Sequence, residues 1–123
     1  MKDESKPPSG PEPRTRSPVL VVLMVTAESM EQARAIARTL LEKRAVACVN
    51  IVPGVESHFW WKGNLESAAE VLIIAKTISS RIEEARSIVQ AIHSYELFEL
   101  LAVPVTGGNP DYLRWVAAAV QDR

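Results

Sequence analysis

The chain has 123 residues, which suffice for one domain with a hydrophobic core but not for two. Its 14 basic and 15 acidic residues give a net charge of −1, so we expect no broad electrostatic attraction for nucleic acid or anionic membranes. No apolar run approaches the ~20 residues that a membrane-spanning helix needs. We therefore predict no nucleic-acid partner and no membrane span.

The first 18 residues differ in composition from the rest. They contain five of the eight prolines, interleaved with charged residues and with no apolar residue beyond Met1. Such a segment cannot bury enough apolar surface to offset the entropy lost on ordering. Residues 1–18 are predicted to be a disordered, proline-rich tail, and residues 19–123 a single domain.

The apolar run at 19–25 follows two arginines and resembles the apolar segment of a signal peptide. Asp3, Glu4 and Glu12 disrupt the basic flank that such a peptide needs, so a buried strand is the interpretation that we favour. The single cysteine, Cys48, cannot form an internal disulfide, which is compatible with a reducing compartment. We predict a cytoplasmic localisation.

The first half of the domain predicts a strand, a helix and a long hairpin. Residues 19–26 are apolar on both faces of a strand. The capping box at 29–32 opens a helix whose apolar side chains recur at helical spacing to about residue 44. Residues 46–77 then predict a β hairpin that turns at 62–64.

The second half of the domain predicts a helix, a strand and a third helix. Ser80 and Glu83 form a second capping box and open a helix that runs to about residue 93. Residues 99–106 predict a fourth strand. Asn109 is expected to cap a third helix that Pro110 opens.

The order βαββαβ followed by a helix predicts an α+β, ferredoxin-like fold. Proline cannot donate a hydrogen bond to a strand ladder, and Pro53 and Pro104 interrupt the second and fourth strands. We therefore place those two strands at the edges. The prediction is an antiparallel sheet of order 4-1-3-2 with right-handed connections.

Three adjacent aromatic residues raise the question of what covers the second face of the sheet. Side chains alternate along a strand, so Phe59 and Trp61 point to one side and Trp60 to the other. Two helices cover only one face, although the strands are apolar on both. Unless the third helix folds back over the second face, we expect a symmetric self-assembly that buries Trp60 and Trp61.

Candidate ligand groups gather after the second predicted helix. His93 is followed by Tyr95, Glu96 and Glu99, and an imidazole with two carboxylates suits a divalent ion such as copper or zinc. The spacing alone is weak, because a helix C-terminus favours histidine in any case and carboxylates at helix ends are usually solvated. From the residues, both interpretations remain open.

Other chemistry has less support. His58 shares a strand face with Glu56 and Trp60 and is interpreted as packed or edge-exposed rather than as a ligand. Cys48 lies among apolar residues, where a thiol behaves as a small hydrophobic group, so we do not expect it to form a nucleophilic pair with His93. The aromatic run is not expected to be an RNA-stacking platform, because the central strands hold Val, Leu and Ile instead of the Gly/aromatic ribonucleoprotein pattern.

Four blocks of sequence follow one another with characteristic spacing: VVLMVTAES, LLEKRAVACVNIVPGVESHFWWKGNLE, EVLIIAKT and IHSYELFELLAVPVTGGNPDYLRWV. In order and spacing they resemble the CutA family of divalent-cation tolerance proteins, from residue 19 to about residue 120. The resemblance implies a homotrimer, similar in fold and packing to PII-like signalling proteins, in which each hairpin reaches a neighbour. It also implies copper(II) or another divalent cation as ligand, no catalytic activity and no organic cofactor.

The same resemblance implies which residues bind the metal ion. His93 matches the nitrogen ligand, and Glu99, with Glu96 as a further candidate, would supply oxygen near a cleft between subunits. Ser94 and Phe98 stand where the family motif usually has proline. Because proline restricts itself and the residue before it, we expect the segment that orients His93 to be looser here.

Two further expectations follow from the resemblance. Val25 stands where some members carry a cysteine implicated in copper binding, so copper(II) or zinc is favoured over copper(I). The alternative function is a PII-like signalling or interaction trimer in which metal binding is incidental. Its cleft would receive a small molecule or a partner segment and is lined by Trp60, Trp61, Lys76 and Tyr95.

Cys48 matches the family's second-strand cysteine and belongs with these interface positions, although we favour core packing for it.

Overall fold

The computed structural model describes residues 18–121, so the predicted tail at 1–18 lies outside the described residues except for Pro18. The elements follow the predicted order. They are β1 (Leu20–Ala27), α1 (Met30–Glu42), β2 (Cys48–Trp61), β3 (Asn64–Ile78), a 3₁₀ turn (Ser79–Arg81), α2 (Ile82–Ile92), β4 (Leu100–Pro104) and α3 (Pro110–Gln121).

The sheet confirms the α+β prediction and the strand order. All neighbouring strands are antiparallel, in the order β2-β3-β1-β4, which is the predicted 4-1-3-2 read from the other edge. Pro104 ends the edge strand β4, and Pro53 lies in a bulge of the edge strand β2 between Val52 and Val55. The prolines therefore stand where the ladder does not need their missing N–H groups.

The main core lies between one face of the sheet and helices α1 and α2. Every second residue of β1, from Val21 to Ala27, is buried on this face. Ile36 of α1 and Val89 of α2 are fully buried against it. Each large side chain buried in this way stabilises the fold by roughly 1.5–3 kcal/mol relative to an exposed position.

Helix α3 covers one end of the second face. Ala117 and Val120 pack there with Ile78, against the half-buried Leu20. Farther along this face, Leu101 of β4 is 54% exposed. The third helix thus folds back over the second face, which was the alternative to self-assembly, but it leaves part of that face open.

The hairpin extends beyond the sheet as a two-stranded ribbon. β1 and β3 stop pairing at Ala27 and Val71, whereas β2 and β3 remain paired out to Trp61 and Asn64. The predicted turn was one residue too long, because Lys62 and Gly63 alone form it. Both have positive φ, 51° and 83°, as a type I′ turn requires.

Two of the three predicted N-cap residues are confirmed, although the Gln32 side chain bonds to the segment after α2 instead of completing a capping box with Ser29. Ser29 Oγ accepts the Gln32 N–H at 3.1 Å, and Asn109 Oδ1 accepts the Asp111 N–H at 3.0 Å. The prediction of a capping box at Ser80 was wrong. The chain enters α2 through a 3₁₀ turn, whose backbone bond from the Ile82 N–H to a carbonyl replaces a side-chain cap.

Candidate functional site

An open groove of about 1030 Å³ lies between the hairpin ribbon and the segment 94–99 that follows α2. Five of the chain's seven aromatic residues line it: Phe59, Trp60, Trp61, Tyr95 and Phe98. Four carboxylates also line it: Glu66, Glu70, Glu96 and Glu99. Among the residues that the structure describes, no lysine or arginine belongs to this lining.

The strand register decides which ribbon residues face the groove together. Val55 pairs with Glu70 and Phe59 with Glu66, so these residues share one face of the ribbon with Trp61. Trp60 and His58 also border the groove but belong to the opposite face of the ribbon, where Trp60 is 73% exposed. Two aromatic rings and two carboxylates therefore share a single face of the ribbon, with Phe59 directly opposite Glu66.

His58 lies on the other face of the ribbon, and the prediction that it is packed or edge-exposed is confirmed. His58 Nε2 lies 2.7 Å from Glu56 Oε2, and both side chains are largely exposed. An exposed pair of this kind contributes little to stability.

Glu70 is the most buried carboxylate of the groove. Only 9% of the residue is exposed, and its Oε2 accepts a 2.7 Å hydrogen bond from the Tyr95 hydroxyl. Burial, with the bond to Glu70 next in importance, raises the pKa of Tyr95 to about 12. The phenol therefore stays protonated and serves as a donor at physiological pH.

His93 caps the C-terminus of α2, and both of its ring nitrogens are occupied. Nε2 lies 2.8 Å from the Thr26 carbonyl oxygen, which can only accept, so Nε2 carries the hydrogen. Nδ1 accepts the Tyr95 N–H at 3.0 Å. The ring also stacks on Phe98 with a centroid distance of 5.3 Å. In this arrangement neither nitrogen offers a free lone pair to a metal ion.

The segment after α2 is fixed by contacts that proline could not make. The Ser94 N–H donates to Gln32 Oε1 at 2.6 Å, and Gln32 Nε2 donates to the Ile92 carbonyl at 3.2 Å. Proline at position 94 would lack that N–H. The bonds from Gln32 therefore offset the loosening that we expected for this segment. Phe98, at the position of the second proline, adds ring stacking on His93.

The three predicted metal ligands are not gathered around one point. Glu96 and Glu99 are exposed at the groove, while His93 is engaged by backbone groups. Within residues 18–121, no three His, Cys, Asp or Glu side chains form a group that could hold a metal ion. As they stand, these residues fit a divalent ion only through carboxylate oxygens, unless His93 gives up its bond to Tyr95.

Two of the predicted cleft residues lie elsewhere. Lys76 and Cys48 pair directly across β3 and β2 on the second face of the sheet, outside the groove lining. The Lys76 ammonium donates to Asn50 Oδ1. Burial, followed by the neighbouring Cys48, raises the pKa of Tyr112 of α3. The half-buried Cys48 therefore packs beneath α3 at the edge of the open face.

Sequence reasoning missed Phe59, Glu66 and Glu70 as groove residues. Glu70 had a recognisable signal, because it is a lone carboxylate directly before the apolar run 71–75. Val25 is buried in the main core, so its side chain adds no donor to the groove.

Comparison with known proteins identifies the family. The family described as CutA1 divalent ion tolerance protein matches residues 21–119. The chain belongs to the CutA family. Mouse Protein CutA is 41% identical over 114 residues, and the divalent-cation tolerance protein CutA of Archaeoglobus fulgidus is 42% identical over 99 residues. The resemblance proposed from the sequence is thereby confirmed.

The shared length differs among these CutA relatives. The match to the mouse protein covers 89% of this chain but 64% of that protein, so the chain spans less than two thirds of it. For the chloroplastic CutA 1 of rice the corresponding shares are 83% and 58%. The archaeal protein is matched over 96% of its length and 80% of this chain.

Solved CutA structures share the fold. The crystal structure of CutA1 from Oryza sativa has a TM-score of 0.83 at 36% identity, covering 87% of this chain and 98% of that one. CutA1 from Thermus thermophilus has a TM-score of 0.81 at 38% identity, covering 82% and 98%. The sheet, the hairpin ribbon and the three helices are therefore the architecture of this family.

The relatives come from more than one compartment. Within residues 18–121, no helix is both long and apolar enough to cross a membrane. The rice and Arabidopsis relatives are named chloroplastic, and a solved structure from Archaeoglobus fulgidus is titled periplasmic. The cytoplasmic localisation stays a prediction.

Proposed function

We propose that this CutA-family protein is a cytoplasmic, non-enzymatic homotrimer that binds copper(II) or another divalent cation near a cleft between subunits. The observation that carries the proposal is the pair of exposed carboxylates at the groove, Glu96 and Glu99. Within the described residues, no hydrogen bond or ion pair engages either one. Carboxylate oxygens suit hard and intermediate divalent ions, and the family name associates its members with divalent-cation tolerance.

The assembly is supported by apolar surface on the ribbon. Trp60 and Leu65 are cross-strand partners, 73% and 66% exposed, on the ribbon face turned away from Glu70. An exposed aromatic and aliphatic pair on a projecting arm is typical of an interface. A neighbouring subunit could also supply the ligands that a single chain does not gather.

His93 has a conditional role in this proposal. Coordination through Nδ1 requires the loss of the Tyr95 N–H bond, because that bond uses the nitrogen's only lone pair. Nε2 would first have to lose its hydrogen and its bond to Thr26. Copper(II), which favours imidazole nitrogen, is the divalent ion best able to compensate for such a loss.

The test is a calorimetric titration of copper(II) into the wild-type chain, with subunit mass recorded by light scattering. We expect stoichiometric binding to a trimer, weakened at least about tenfold when Glu96 and Glu99 are both replaced by Gln. The His93→Ala variant measures the nitrogen contribution, and His58→Ala is the control imidazole outside the predicted ligand set. Undiminished binding in the double Glu variant would contradict the carboxylate site.

The engaged nitrogens of His93 favour a second candidate function. A PII-like interaction or signalling trimer would use the groove for an organic ligand or partner segment and would bind metal only incidentally. Unaltered copper titrations in both the His93→Ala and the double Glu variants would favour this candidate. The second candidate also predicts a saturable ligand whose binding tolerates a chelator.

A further inference from the structure

Glu70 is a buried carboxylate without a cationic partner. The neutral Tyr95 hydroxyl donates to its Oε2, and only 9% of the residue is exposed. Across residues 18–121, no lysine, arginine or histidine forms an ion pair with it. A buried charge satisfied by a single neutral donor is costly, and a cation entering the groove would compensate it.

The aromatic rings along this ribbon face suit an organic cation better than a metal ion. Phe59 and Trp61 lie on the same face as Glu70 but nearer the ribbon tip, with Phe59 opposite Glu66, while Tyr95 contacts Glu70 through its hydroxyl. Aromatic faces attract ammonium groups but supply no metal ligands. At the ribbon tip, the Lys62 ammonium already lies 5.6 Å from the centroid of the Trp61 ring.

The spacing of the carboxylates indicates a cation with several separate charges. Glu66 and Glu70 stand four residues apart on one strand, which is roughly 13 Å in extended backbone. Glu96 and Glu99 face them across the groove from the segment after α2. A compact ion cannot contact carboxylates so far apart, whereas an extended chain with several ammonium groups can.

We propose that the groove binds a linear aliphatic polyamine, with one ammonium on Glu70, the methylene chain against Phe59, and further ammonium groups on Glu66 and the carboxylates opposite. This inference goes beyond the proposed metal binding and does not depend on it. Two features support this class of ligand. The carboxylates balance its charge, and the aromatic walls accept both methylene groups and ammonium groups.

The test uses spermidine as the probe, titrated calorimetrically into the full chain after passage over a chelating resin. We expect saturable binding that weakens as salt is raised. The Glu70→Gln variant keeps an acceptor for Tyr95 but loses the charge, so we expect it to weaken binding at least about tenfold. Glu42→Gln, an exposed carboxylate on α1 outside the groove, is the matched control and should bind as the wild type does.

A second pair of variants tests the aromatic wall. Phe59→Leu removes a ring on the Glu70 face and should weaken spermidine binding, whereas Trp115→Leu removes an exposed ring of α3 outside the groove and should leave it unchanged. An uncharged diol of the same chain length should not bind. The proposal is overturned if spermidine fails to bind, if Glu70→Gln binds as tightly as the wild type, or if the diol competes.

Copper(II) titration of the same preparation separates the two proposals. Spermidine binding without copper binding would support the polyamine groove and contradict the metal site. Copper binding without spermidine binding would overturn the polyamine groove and leave the metal proposal standing.

Discussion

The Tyr95 hydroxyl donates a 2.7 Å hydrogen bond to Glu70, and this bond ties the segment after α2 to the root of the hairpin ribbon. The same tyrosine donates its backbone N–H to His93 Nδ1. His93 in turn donates to the Thr26 carbonyl at the end of β1. Three elements therefore meet through Tyr95, and the shape of the groove depends on these bonds.

Replacing Tyr95 by Phe should lower the free energy of unfolding by about 1.5–3 kcal/mol, because a buried carboxylate loses its hydrogen-bond donor. Urea denaturation measures the change. Tyr112→Phe is the comparison variant, and we expect a smaller loss from it, since the Tyr112 hydroxyl has the weakly hydrogen-bonding Cys48 thiol as its neighbour rather than a buried carboxylate. Equal losses in the two variants would show that the Tyr95 hydroxyl has no special role.

The hydrogen-bonded pair of Tyr95 and Glu70 also predicts a loss of stability at alkaline pH. The pKa of Tyr95 rises from 10.0 to about 12 in the folded chain, so the native state holds this proton more tightly than the unfolded state. The resulting stabilisation is fully present below pH 10 and disappears as the pH rises towards 12. Unfolding free energies of wild type and Tyr95→Phe should therefore converge over this interval. A constant difference between the two pH profiles would refute the assignment.

Gln32 should matter more than an ordinary residue on a helix surface. Gln32→Leu removes two hydrogen bonds to the segment after α2 and should cost about 1–2 kcal/mol. Ser94→Pro, added to Gln32→Leu, should restore part of this stability, since His93 has φ −70° and ψ 138°, which a following proline allows. Thermal unfolding measures both steps. Gln90→Leu on the exposed side of α2 is the control, since it loses only an exposed bond from Arg86 within its own helix. A double variant less stable than Gln32→Leu would contradict the argument.

Self-association should depend on the outer face of the ribbon. Replacing Trp60 and Leu65 together by Ser removes the exposed apolar pair without touching the core. We expect the mass measured by light scattering to fall from that of a trimer towards that of a single chain. Leu41→Ser removes an apolar side chain of α1 that is 41% exposed and should leave the mass unchanged. Assembly that survives the double substitution would place the interface elsewhere.

The topology could be predicted from the sequence because a few residues have strict backbone requirements. Pro53 and Pro104 identified the edge strands, and the Gly63 turn located the hairpin tip. The entry to α2 at Ser80 was mispredicted because a capping-box pattern does not show whether a 3₁₀ turn precedes the helix. Local patterns thus fixed the order of elements better than the details of their ends.

The groove could not be predicted because one bulge decides its composition. Val52 pairs with Leu72 but Val55 pairs with Glu70, so β2 contains one residue more than β3 between these pairs. Gly54 accommodates the bulge with φ 79°. Without the extra residue, Trp60 would share a face with Glu70 in place of Phe59 and Trp61. The sequence shows the Pro53-Gly54 break, but not how many residues it inserts.

Arg81 should stabilise the fold by joining the start of α2 to the end of α3. Its Nε donates to the Val120 carbonyl at 2.8 Å and its guanidinium pairs with Glu84 at 2.9 Å, with 17% of the side chain exposed. Arg81→Ala should therefore cost about 1.5–3 kcal/mol in urea denaturation, since a charged donor to buried backbone is lost.

Arg86→Ala is the matched control for this change, because the Arg86 pair with Glu83 is 42% exposed on its arginine side. An exposed helix pair of this spacing contributes only about 0.3–0.5 kcal/mol. Hydrogen exchange should also quicken in the last turn of α3 in Arg81→Ala but not in Arg86→Ala, because only Arg81 bonds that turn. Similar losses and similar exchange in the two variants would mean that α3 is held by Ala117 and Val120 packing alone.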